Sequence, residues 1–273
     1  MLTAARPLLL VGGGKMGEAL LGGWLGQGLA ADAVLIVEPD TSRRRLLADL
    51  HGVRAVADPG ELAGIPPPGA LLLAVKPQMM DAALPAYAGR VAADTLVMSI
   101  AAGKPIALFE RTLGTNLGVV RAMPNTPAAV GRGVTVLCAN AAVGGAQRAL
   151  AEQLMAAVGA VHWVADEEQM HAVTAVSGSG PAYVFHLIEA LAAAGARAGL
   201  PETLAMELAR GTVSGAGELA RQSAETTAQL RTNVTSPGGT TAAALAELMG
   251  PDGFGPVLQR AVAAAAARSR ELA

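Results

Sequence analysis

The run Gly12-Gly13-Gly14-Lys15-Met16-Gly17 has the spacing G-x-G-x-x-G, between an apolar run, Leu8 to Val11, and a helix-length segment from about Met16 to Gly28. In that setting Gly12 permits the tight turn, Gly14 lets a pyrophosphate approach the backbone, and Gly17 allows close packing of helix on strand. The free N–H groups of the helix start would then hold the phosphates. A second apolar run, Val34 to Val37, ends in Glu38, 21 positions beyond Gly17, where a carboxylate can accept adenosine ribose hydroxyls. The chemistry implied is dinucleotide binding. Glu38 would repel a 2′-phosphate and so favours NADH, whereas Ser42, Arg43, Arg44 and Arg45 lie just beyond it and can clamp one, leaving NADPH and NADH both open.

Two more strand ends carry candidate ligand positions. Ala74-Val75-Lys76-Pro77 closes one apolar run, and Ile100-Ala101-Ala102-Gly103 closes another with small residues that leave space for a flat ring. A parallel sheet presents such ends to a ligand lying across its carboxyl edge. Lys76 reads equally as a ligand or as a strand-end charge facing water. Further on, Ser236-Pro237-Gly238-Gly239-Thr240-Thr241 leads into a helix beginning at about Thr241. Free N–H groups, Thr hydroxyls and two glycines can grip a carboxylate, although the same string also serves as a plain helix cap. Ser177-Gly178-Ser179-Gly180-Pro181 is a Gly-rich break that places Pro181 in the first turn of a helix. His51, His162, His171 and His186 are scattered, with neither metal-ligand spacing nor recurring carboxylate partners, so no metal is expected.

The elements that must position these residues are legible in outline. Apolar runs at Leu8 to Val11, Val34 to Val37, Val53 to Val56, Leu71 to Val75 and Leu96 to Ile100 alternate with helix-length segments, and several are apolar on successive residues. Strands buried on both faces of a parallel sheet read this way. Further runs follow at Gly118 to Arg121, Val134 to Ala139 and Val161 to Val164, after which the chain is helical in composition, with breaks at Ser177 to Pro181, Gly199 to Pro201, Ser236 to Gly239 and Gly250 to Pro256. The expected fold is therefore α/β, a Rossmann-type doubly wound sheet over residues 1–164, followed by an all-helical domain over 165–273.

Composition narrows the function. A net charge of −2 supplies no footprint for nucleic acid or an anionic membrane. Cys138 is the only cysteine, which excludes an internal disulfide. The apolar start is interrupted by Gly12 to Gly14, so no export signal is read and a cytoplasmic location is expected. Ala182 to Leu200 carries His186, Glu189 and Arg197, too polar for a lipid-facing helix. Hydrophobic residues make up 52% and aromatics 3%, and Ala-rich helices of this kind need a second subunit to cover them.

The glycine-rich turn, Ala74 to Pro77, Met123-Pro124-Asn125-Thr126-Pro127, Ser177 to Tyr183 and Ser236 to Thr241 occur in an order that resembles the pyrroline-5-carboxylate reductase family, from about Leu8 to the helix after Thr241. The resemblance implies reduction of (S)-1-pyrroline-5-carboxylate to L-proline with NADPH or NADH, by homodimers that often assemble into a decamer. It assigns the cofactor to Val11, Gly12, Gly13, Gly14, Lys15, Met16, Glu38, Ala74, Val75, Lys76, Pro77, Ile100, Ala101 and Ala102. It assigns the cyclic imino acid to Asn233, Thr240 and Thr241, to which the loop chemistry adds Ser236, Gly239 and, for the ring pocket, Ser177. Thr241 is the side chain expected to hold substrate and touch the ring nitrogen. Two departures stand out: many members have a small polar residue where Glu38 stands, and Pro59 replaces an asparagine that touches the adenosine.

Two other functions compete. A 3-hydroxy acid dehydrogenase would use a lysine from the second half as its proton carrier, and no lysine follows residue 165. A non-catalytic nucleotide-binding protein would show a degenerate substrate loop, whereas Asn233 and Ser236 to Thr241 are intact.

Overall fold

The computed structural model describes residues 2–272. The chain forms two compact units, Met1–Gly178 with Ala266–Ala273, and Ser179–Ala265. The first unit opens with β1 (Leu8–Val11), α1 (Lys15–Gly26), β2 (Val34–Val37), α2 (Thr41–His51), β3 (Arg54–Val56) and β4 (Ala70–Leu73). It continues through α3 (Pro77–Ala83), β5 (Leu96–Ser99), α4 (Ile106–Leu113), β6 (Gly118–Met123), β7 (Gly133–Ala139), α5 (Gly145–Ala156) and β8 (Gly159–Trp163). Then α6 (Gln169–Val173) runs into a π-helical turn, Thr174–Gly178.

The eight strands form one sheet in the order β3-β2-β1-β4-β5-β6-β7-β8. Its first six strands are parallel and follow the doubly wound order expected of a Rossmann-type domain. β7 runs antiparallel to β6, because the connection from Pro124 to Arg132 is too short for the crossover that a parallel neighbour requires. Successive strand residues point to opposite faces. Leu8, Leu10, Ile36 and Leu72 pack with Leu20 and Trp24 of α1 and Leu154 of α5. Leu9, Val11, Leu35 and Leu71 pack with Met80 of α3 and Phe109 of α4. Each fully buried Leu or Phe stabilises the fold by about 1.5–3 kcal/mol. Between α1 and α5, the indole Nε1 of Trp24 donates to the Leu154 carbonyl at 2.7 Å.

The second unit contains α7 (Gly180–Arg197), α8 (Glu202–Gln222), α9 (Thr227–Asn233), α10 (Thr240–Leu248) and most of α11 (Phe254–Glu271). Ala192 of α7 and Ala205 and Ala209 of α8 are buried, and a Cβ on Gly195 would lie 3.4 Å from that of Ala205, so small residues set this helix contact. Neither α9 nor α10 buries a residue. Phe185, Leu208, Leu219 and Phe254 are exposed. The break between α8 and α9 departs from the sequence expectation of continuous helix there; Thr226 caps α9 by accepting the Gln229 N–H at 3.2 Å. Strand signals stop at Val164, while the compact units divide after Gly178, with α6 and the π-turn counted in the first. The chain's end returns to that unit, where Ser269 Oγ lies 2.9 Å from Nδ1 of buried His171.

Candidate active site

The β1–α1 turn is built as its glycines require. Gly12 has φ +96°, and a Cβ there would lie 2.8 Å from the Ala74 carbonyl oxygen. A Cβ on Gly13 would collide with Leu47, and one on Gly17 with the Gly12 carbonyl. Gly14 differs: nothing lies within 4 Å of its Cβ direction, and it is exposed at the N-cap of α1 with no side chain capping the helix. This open cradle of free N–H groups is what a dinucleotide pyrophosphate needs. When bound, the nicotinamide supplies the hydride; the protein supplies position and field.

The strand ends meet at this turn. The N–H of Gly12 donates to the Val37 carbonyl, that of Ala74 to Val11 and that of Ile100 to Leu73, at 2.9, 2.8 and 3.1 Å. Val11 to Met16, Glu38, Ala74 to Pro77 and Ile100 to Ala102 therefore line one edge of the sheet. Lys76 is exposed at the N-cap of α3, Val75 and Ala74 are half-buried, and Ala101 is buried beside half-buried Ile100 and Ala102. The Glu167 carboxylate accepts from Arg121 Nη1 at 2.6 Å and from the Ile106 N–H at 2.8 Å, which fixes the start of α4.

Glu38 is 9% exposed and both its oxygens are engaged. Oε2 accepts the Gly13 N–H at 2.7 Å and Oε1 the Asp40 N–H at 2.9 Å. The carboxylate thus braces the glycine-rich turn, a role that its place at a strand end does not announce. The arginines beyond it are largely committed. Arg43 binds the Gly13 carbonyl through Nε and the Glu18 carboxylate through Nη2. Arg44 Nη1 donates to the Glu38 carbonyl at 2.8 Å. Ser42 and Arg45 are exposed on α2.

The substrate candidates fall in both units. Ser177 lies in the π-helical turn of the first unit, its Oγ donating to the Val173 carbonyl at 3.2 Å. The others belong to the second. Gly238 takes φ +70° and the Gly239 N–H donates to the Ser236 carbonyl at 3.0 Å, so the chain turns sharply into α10. Gly239 is the N-cap, no side chain caps the helix, Thr240 is exposed and Thr241 is half-buried in its first turn. Asn233 ends α9; its Nδ2 donates to Glu225 at 3.0 Å and its Oδ1 accepts from Gln229 at 2.8 Å. No group of three or more His, Cys, Asp or Glu placed to hold a metal occurs among the described residues.

Residues 167–272 match the family model of pyrroline-5-carboxylate reductase dimerisation, and residues 8–103 match that of NADP oxidoreductase, coenzyme F420-dependent. A pyrroline-5-carboxylate reductase from Synechocystis sp. is 44% identical, the match covering 96% of this chain and 97% of that one. This chain belongs to the pyrroline-5-carboxylate reductase family. The structure of a pyrroline-5-carboxylate reductase from Coxiella burnetii superposes with a TM-score of 0.90 at 34% identity, covering 98% of this chain and 99% of that one. A Plasmodium falciparum pyrroline carboxylate reductase solved with NADP bound gives 0.82 at 29% identity, covering 98% of each. This reductase converts pyrroline-5-carboxylate to proline by hydride transfer from NAD(P)H. Its helical half carries the family's dimerisation region, and the apolar side chains exposed there are of the kind that a second subunit buries. No helix among the described residues is long and apolar enough to cross a membrane.

Proposed function

We propose that the residues at the sheet edge, Val11 to Met16, Glu38, Ala74 to Pro77 and Ile100 to Ala102, hold the nicotinamide dinucleotide, and that Asn233, Ser236, Gly239, Thr240, Thr241 and Ser177 serve the imino acid. The observation that carries the substrate side is the start of α10. A helix that begins after a Gly-Gly turn, without a capping side chain, leaves the Thr240 and Thr241 N–H groups free to hold a carboxylate. The Thr241 hydroxyl lies in the same first turn, and its proposed role is to meet the ring nitrogen. An imine accepts hydride more readily once protonated, and solvent can supply that proton, so the chain needs only to fix the ring and its orientation.

The division of labour follows: residues 1–164 bind the dinucleotide, and residues 165–273 dimerise and bind substrate. Dimers assemble further, as a decamer, in the cytoplasm. The preferred cofactor is NADH, because the Glu38 carboxylate holds its place through two N–H groups while Arg43 and Arg44 are already bonded elsewhere. Thr241→Val tests the substrate side, since it keeps the branched shape and removes the hydroxyl. Imine kcat/KM should fall at least about tenfold, the loss of about 1.4 kcal/mol of transition-state binding, with the KM for NAD(P)H unchanged. Unchanged imine kinetics would remove Thr241 from the site.

A further inference from the structure

The π-helical turn Thr174–Gly178 is held by a residue to which the sequence motifs assign no task. In an α-helix the Ser177 carbonyl would accept from the N–H of residue 181, but residue 181 is proline and has none. The next N–H, of Ala182, goes to the Ser179 carbonyl at 3.0 Å. The Ser177 carbonyl instead accepts the side-chain amide of Asn125, Nδ2 to O, at 3.1 Å. Asn125 is 9% exposed and spends its other end on the chain too, Oδ1 accepting the Val134 N–H at 2.9 Å. The donor and acceptor ends of one buried amide thus tie the turn to the start of β7. Two residues before Asn125, Met123 packs so closely on Gly178 that a Cβ there would collide with its methyl.

We infer that Asn125 is a positioning residue for the imino acid pocket: its Nδ2 replaces the N–H that Pro181 lacks and fixes the Ser177–Gly178 end of the π-turn. π-turns are rare and concentrate at functional sites, because the extra residue re-aims the side chains after it. The asparagine amide suits this position, since one side chain must both donate to the Ser177 carbonyl and accept from the Val134 N–H. The inference rests on Ser177 lining the pocket, as proposed above.

Asn125→Asp keeps the shape and the Val134 bond but turns an acceptor toward the Ser177 carbonyl. The expected result is an imine KM raised about tenfold or more, with the KM for NADH within twofold of wild type. A lowered melting temperature with an unchanged imine KM would overturn the inference, reducing Asn125 to a structural tie. Should Asn125→Asp not fold, Asn125→Ala removes the donor without adding an acceptor, and the same pair of outcomes decides. Ser177→Ala is measured in parallel: an unchanged imine KM for that variant would overturn the pocket assignment of Ser177 itself, whatever Asn125 does.

Discussion

Replacing Glu38 by glutamine keeps the length of the side chain and removes its charge. The glutamine oxygen can still accept one of the two N–H groups, from Gly13 or Asp40, but its NH2 then faces the other donor. One charge-assisted hydrogen bond, worth about 1.5–3 kcal/mol, is lost, and a fall of a few degrees in melting temperature results. The effect on cofactor choice has the opposite sign for the two nicotinamides. Two unit charges about 6 Å apart repel by about 3 kcal/mol at an effective dielectric of about 20, and screening at physiological salt brings this nearer 1.4 kcal/mol, or about tenfold. Wild-type protein should therefore show the higher kcat/KM with NADH, and Glu38→Gln should raise the NADPH-to-NADH ratio of kcat/KM about tenfold, less at high salt. The assay is oxidation of each cofactor, followed by its absorbance, with saturating pyrroline-5-carboxylate. A wild type that prefers NADPH, with a ratio indifferent to Glu38→Gln, would refute the reasoning and return the choice to the arginines on α2.

Gly14→Ala and Gly17→Ala should separate binding from folding. The first adds a methyl to open space, so melting should hold while the KM for NAD(P)H rises about tenfold; the second drives a Cβ into the Gly12 carbonyl and should lower urea stability by about 2 kcal/mol or more. Arg121→Met leaves Glu167 with one partner; because Arg121 is buried and the Glu167 side chain is 34% exposed, the cost should be about 2–3 kcal/mol in urea melts, below that of a fully enclosed pair. Burial raises the Tyr87 phenol above its ordinary value near 10. The unfolded chain releases that proton first, so Tyr87 weakens stability as pH rises past about 10, and its phenolate absorbance should appear together with loss of the folded circular-dichroism signal. Burial likewise pushes up the Cys138 thiol, which should resist a thiol reagent in the native state and react after unfolding.

The sheet was legible because its strands are apolar on successive residues. Leu8 to Val11 and Val34 to Val37 are bounded to the residue, while ends that mix with loop chemistry, such as Leu71 to Val75 against the observed Ala70–Leu73, shift by a position or two. The direction of β7 is not written in Val134 to Ala139, since an apolar run has no polarity; it comes from the short connection before it. The break before α9 carried a usable signal, Thr226 three residues ahead of Gln229, hidden inside a helical composition. At the site, the glycines predicted their own geometry because each task is steric and local. The bracing roles of Glu38 and Asn125 were not legible, because each depends on a backbone group brought close only by folding, 25 positions away for Gly13 and 52 for Ser177. A single sign did point to the second: Pro181 leaves a carbonyl without its helical donor.

The reaction itself is tested by mixing purified protein with NADH or NADPH and pyrroline-5-carboxylate, with a 3-oxo acid in parallel. Oxidation of the cofactor and formation of proline are expected with the cyclic imine, and neither with the oxo acid. Folded protein that binds a nicotinamide yet turns over the imine with neither cofactor would contradict a reductase acting on this substrate.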